Sequence, residues 1–129
     1  MNEILAEKPE IIPEIIQTVQ KWKETEFNGW PTFSNSKKLN KLRLLMEKII
    51  PTLNYSFENA FYYACNRQNR IIYSNQNNPS IISSLHEVGH ALFGPSELKA
   101  CRFSIWIFKD LFPKSFNKLK TDKHMLKNP

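Results

Sequence analysis

The chain is poor in cysteine: Cys65 and Cys101 are the only two among its 129 residues. Two thiols cannot build a disulfide framework, and neither belongs to a CxxC pair. A disulfide-stapled scaffold and a thioredoxin-like motif are therefore excluded. The simplest reading of both cysteines is a buried thiol. Long apolar runs are missing as well. The most apolar stretch, Phe103 to Phe112, is broken by Lys109-Asp110 and is too short to span a bilayer. The start, Met1-Asn2-Glu3-Ile4-Leu5-Ala6-Glu7-Lys8, has no basic region followed by an apolar run, so no secretory signal is read there. A cytoplasmic protein without a membrane span is expected. No internal repeat and no low-complexity segment occurs.

What is present is globular in kind. Hydrophobic residues make up 41% of the chain and aromatics 12%, which is too apolar for a disordered segment. The length suits one domain over residues 1–129 with a modest core, residues 1–10 and 120–129 being read as flexible. The net charge of +6 is unevenly spread. Residues 1–97 carry ten basic and ten acidic side chains, whereas residues 98–129 carry eight basic and two acidic. A solvated basic helix and tail explain this, with a nucleic-acid or acidic partner as the alternative. No aromatic–basic interleaving sharpens that alternative.

Periodicity predicts a helix from Pro13 to about Glu26, with Ile15, Ile16, Val19 and Trp22 on its apolar face. A second is predicted from Ser36 to Ile50, turning Leu39, Leu42, Leu45, Met46 and Ile49 inward and ended by Pro51. The pattern then becomes aromatic and β-branched. Tyr55–Asn66 and Arg70–Ser74 read as strands around a turn at residues 66–69, with room for a further strand near Leu53–Phe57. A helix follows with Pro79 near its start and Gly94-Pro95 at its end. The last helix runs from Ser96, a plausible N-cap, to about Phe112, and Lys114–Leu119 can add a short turn. The expected fold is α+β: mainly helical, with a small antiparallel hairpin packed on the helix between Pro79 and Gly94-Pro95.

That helix carries His86-Glu87-Val88-Gly89-His90, the HExxH pattern. Residues at i and i+4 share one helical face, so the two imidazoles can converge on one metal ion. Glu87 lies beside that face, where a carboxylate can take a proton from water. Ile81, Ile82, Leu85, Val88, Ala91 and Leu92 supply an apolar stripe behind the motif. Zinc needs a third protein ligand and one open position. Glu97 is the candidate, seven residues past His90 and just beyond the Gly94-Pro95 break. A turn that short makes antiparallel neighbours of the two helices. Asp110, Cys101 and His124 are the other candidates.

The stretch Ile71-Ile72-Tyr73, a polar loop, then Ser84 to Leu92 resembles the core of the zincin metallopeptidases. The following Glu97-Leu98-Lys99-Ala100-Cys101-Arg102-Phe103-Ser104, ending at Pro113, is similar to the second helix of ImmA/IrrE-like proteins. The resemblance covers about residues 70–113, and the connection between its two helices is shorter than is usual there. It implies a minimal zincin-like fold with His86, His90 and Glu97 as metal ligands and Glu87 as general base. The activity it implies is zinc-dependent hydrolysis of a peptide or protein substrate. Tyr73, Tyr63, Tyr62 and His124 are candidates to stabilise an oxyanion. Two other readings remain open: a non-peptidase such as an Fe2+ hydroxylase on the same scaffold, and a regulatory or nucleic-acid-associated protein with a structural metal.

Overall fold

The computed structural model describes Pro9 and residues 13–118. The expectations for residues 1–10, Pro9 apart, and for residues 120–129 fall outside these, as do His124 and the last turn residue, Leu119. The described chain is mainly helical α+β. Its first helix, α1 (Pro13–Glu26), buries Ile15, Val19 and Trp22 at i, i+4 and i+7. The helix α2 (Asn35–Ile49) buries all five residues expected of it. It starts one residue before the expected point, because the Ser34 hydroxyl accepts the Lys37 N–H and caps it. Trp22 ties the two helices together. Its ring is 1% exposed and its indole N–H donates to the Lys41 carbonyl at 2.8 Å. No helix among the described residues is long and apolar enough to cross a membrane.

The sheet has three strands, β1 (Ser56–Ala60), β2 (Ala64–Asn66) and β3 (Ile71–Asn75), in the order β1-β3-β2. The β2–β3 hairpin is antiparallel, with Cys65 opposite Ile72. Its turn is stabilised by the Asn69 N–H donating to the Asn66 side chain. The single strand expected over Tyr55–Asn66 is broken, and its first part pairs parallel to β3, with Ser56 opposite Ile71. The expected antiparallel hairpin is thus present as β2–β3, and β1, which overlaps the further strand considered near Leu53–Phe57, makes the sheet mixed. The break has a physical cause. Tyr63 leaves the ladder to meet the start of the next helix, where its oxygen accepts the Ser80 N–H at 2.7 Å. With Phe61-Tyr62-Tyr63 out of register, the chain crosses β3 and β1 is left on its opposite edge.

The helix α3 (Ile81–Phe93) is capped by Ser80, whose hydroxyl accepts the Ser83 N–H. Pro79 precedes this cap rather than opening the helix. The helices α4 (Glu97–Leu111) and α5 (Pro113–Lys118) complete the described chain. Ser96 is the N-cap of α4, as expected, accepting the Lys99 N–H at 3.2 Å. Pro113 closes α4 and opens α5, where a missing N–H is harmless. One core joins the elements, with Trp22, Leu42, Ile72, Leu85, Val88, Phe103 and Ile105 within it.

The helices α3 and α4 meet closely at Gly89. A Cβ built there would sit 3.0 Å from the Ala100 Cα and 3.3 Å from the Phe103 ring. Backbone cannot give way as a side-chain tip can. Gly89→Ala is therefore expected to push the helices apart despite its better helix propensity, worth about 1 kcal/mol. Overpacking of this kind costs about 1–3 kcal/mol. Thermal unfolding should occur a few degrees lower, and zinc affinity should fall although no candidate ligand is altered. An unchanged affinity in a chelator competition would show that the close approach does not position the ligands.

Candidate metal centre

Helix α3 is buried on two sides. Ile81, Ile82, Leu85 and Val88 face the core, while His86 and Glu87, only 6% and 7% exposed, are buried on its other side. Burying a carboxylate and an imidazole is costly unless something compensates. The short turn at Gly94-Pro95 supplies the partner. Gly94 has φ 97° and ψ −161°, a backbone region essentially restricted to glycine. The chain reverses there, and the first residue of α4 comes back over the two histidines.

Glu97 is that residue. Its carboxylate lies 2.6 Å from His90 Nε2 and 3.4 Å from His86 Nε2. Both imidazoles thus present the same kind of nitrogen to one acid. The ring centroids are 4.9 Å apart at an interplanar angle of 80°. His90 is oriented from behind: its Nδ1–H donates to the Gly94 carbonyl at 2.9 Å. A carbonyl only accepts, so the hydrogen sits on Nδ1 and Nε2 turns toward Glu97. A proton or a cation must then lie between Nε2 and the carboxylate. A metal-ligating histidine usually carries just such an outer hydrogen bond. Two imidazoles and a carboxylate also suit zinc as a donor set, so the residues present fit the ion.

Burial would raise the Glu97 carboxyl, but the His90 hydrogen bond and the charge of both histidines outweigh it and hold it below the usual carboxylate range. Glu87 behaves oppositely. Burial pushes its carboxyl up to about 7, with His90 opposing and Glu97 assisting. No described residue donates a hydrogen bond to it. By mutual distance, the possible ligand groups among the described residues are His86, Glu87 and His90, and His86, Glu97 and Cys101; His86, His90 and Glu97 are joined instead by the two contacts to the Glu97 carboxylate. The Nε2 directions favour His86, His90 and Glu97, because both rings aim at the one acid. Glu87 lies about 100° around α3 from His86, off the shared face.

The site opens into a cleft of about 1050 Å³. Ala64, Cys65 and Asn66 of the edge strand β2 form one wall, and Tyr62 and Tyr73, with ring centroids 5.6 Å apart, contribute to another. Tyr63 lines the cleft, but its hydroxyl is occupied by Ser80, and burial raises its pKa. Arg67 was not singled out by the sequence. It lines the cleft, and its guanidinium lies 3.9 Å from where a Gly94 Cβ would be. Its place in a polar turn gave no signal.

Of the other candidate ligands, Asp110 is exposed near the far end of α4. Cys101 is buried behind His86, its sulfur 3.6 Å from His86 Nδ1. Burial, with the nearby Glu97 and Glu87, pushes its thiol up to about 11. Both cysteines are thiols, Cys65 being half-buried rather than fully buried. Of the basic residues after Leu98, those up to Lys118 are described, and the others lie outside. No family model, no curated protein and no solved structure matches the chain.

Proposed function

We propose that the chain is a cytoplasmic zinc-dependent hydrolase of the metallopeptidase kind, acting on a peptide or protein. The convergence of His86 Nε2 and His90 Nε2 on the Glu97 carboxylate, 3.4 and 2.6 Å away, carries this reading. His86, His90 and Glu97 would hold the ion, with the Gly94 carbonyl fixing the His90 tautomer. Bound zinc supplies a Lewis acid and makes water nucleophilic near neutral pH. Glu87, buried beside the ligand face, accepts the proton of the attacking water and returns it to the leaving amine. The outer edge of β2 offers backbone groups to an extended substrate lying in the cleft. Tyr62, Tyr73 and Arg67 line the same cleft and are the candidate donors to a developing oxyanion.

The donor set supports a second reading, because two histidines and one carboxylate also suit a non-haem Fe2+ oxygenase. Glu87 weighs against it, since that chemistry has no use for a buried base beside the ligands. Metal-stripped protein titrated with zinc, then incubated with mixed peptides, tests the proposal. One equivalent should bind, and cleavage should vanish with chelator and return with zinc. No uptake, or uptake without cleavage of any peptide, overturns the hydrolase reading. Tight Fe2+ binding with an oxidised product would replace it with the second.

A further inference from the structure

The two nitrogens of an imidazole sit on opposite edges of the ring, and the neutral form carries a single hydrogen. His86 is held at both edges by one helix. Its Nε2 lies 3.4 Å from Glu97, and its Nδ1 lies 3.6 Å from the Cys101 sulfur. Glu97 and Cys101 are four residues apart on α4 and so share a face. Cys101 is therefore behind the ring when Glu97 is in front. An ion at Nε2 is on the far side of the imidazole from the sulfur. Close spacing of His86, Glu97 and Cys101 does not make the three co-ligands.

We propose that Cys101 is a positioning residue: its sulfur accepts the Nδ1–H of His86 and holds the ring with Nε2 directed at the metal position. This rests on His86 being a metal ligand. His90 has the same arrangement with a different acceptor, its Nδ1–H donating to the Gly94 carbonyl. Each histidine thus has its own outer partner, one from the turn and one from α4. Both partners are buried, Cys101 4% and His86 6% exposed, so the sulfur rather than bulk solvent is the neighbour of Nδ1. Nothing in the sequence marked this role except the spacing, because Cys101 is one helical turn beyond Glu97.

The test is zinc affinity at pH 7 by chelator competition for the native chain, Cys101→Ala, Cys101→Ser and His86→Ala. Loss of an outer partner weakens binding about 10- to 100-fold. Sulfur is a weak acceptor, so about tenfold is expected for alanine. Serine, which keeps an acceptor, should restore most of the affinity. The Co2+-loaded native chain should show no sulfur-to-cobalt charge-transfer band. If the alanine cavity unfolds the chain, Cys101→Val, apolar and nearer in volume, replaces it in the comparison. Native affinity in the apolar variant overturns the proposal by reducing Cys101 to packing. A charge-transfer band that serine abolishes also overturns it, by making the sulfur a ligand. Native affinity in His86→Ala would instead sink the underlying metal reading.

Discussion

Glu87→Gln is expected to lower peptide hydrolysis about 10²–10⁴-fold while zinc uptake stays at one equivalent. Glutamine keeps the volume and shape of the side chain but cannot take a proton. It also removes a charge from a position 7% exposed, so the fold is not the casualty. In the metal-free chain the effect on stability has a definite sign. Burial lifts the Glu87 carboxyl to about 7, so between the ordinary carboxylate range and that value the folded chain retains a proton that the unfolded chain has lost. Stability contributed by this group therefore falls as pH rises through that window. The glutamine variant should lack that slope. Denaturant titrations of both metal-free proteins from pH 4 to 8 measure it, and hydrolysis with stoichiometric zinc measures the rate. Full activity in the variant would remove Glu87 from the chemistry.

Much of this arrangement was legible because it is local. The inward face of α2 follows from helical spacing alone, and all five of its residues are buried. Ser96 could be read as a cap because a polar residue after Gly94-Pro95 precedes an apolar period. The same reasoning placed Glu97 near the histidines, since a short turn leaves few ways for two helices to meet. The sheet was harder. Residues 55–66 are β-forming in composition throughout, and the break falls on Phe61-Tyr62-Tyr63 rather than on glycine or proline. What breaks the strand is a tertiary contact, Tyr63 reaching Ser80, which has no local sign. Parallel pairing of β1 with β3 is likewise a non-local outcome. The Gly94 carbonyl behind His90 was invisible too, because a backbone acceptor has no sequence identity. Gly89 stood inside the motif, but its function needs Ala100 opposite it to be recognised.

Glu97→Ala is expected to reduce zinc affinity by more than the roughly 10- to 100-fold that follows loss of an outer partner, with a modest loss of fold stability. The side chain is 61% exposed, so its removal leaves no cavity. Ser96 still caps α4 through the Lys99 N–H. What is lost from the fold is the largely exposed carboxylate's contacts with His86 and His90 and a first-turn acid at a helix N-terminus, the latter worth about 0.3–1 kcal/mol. What is lost from the site is the one anionic donor between two imidazoles. Glu97→Gln, which keeps an oxygen donor without the charge, should fall between the native chain and alanine. Calorimetric zinc titration and thermal unfolding of the three proteins check both halves. The pattern across variants also separates the two ways of using His86 and His90. With Glu97 as third ligand, Glu97→Ala loses zinc and Glu87→Gln keeps it. With His86, Glu87 and His90 as the ligand set, a grouping their spacing also permits, the outcomes reverse. Glu87 would then be a ligand, no buried base would remain, and the hydrolase proposal would lose its proton acceptor.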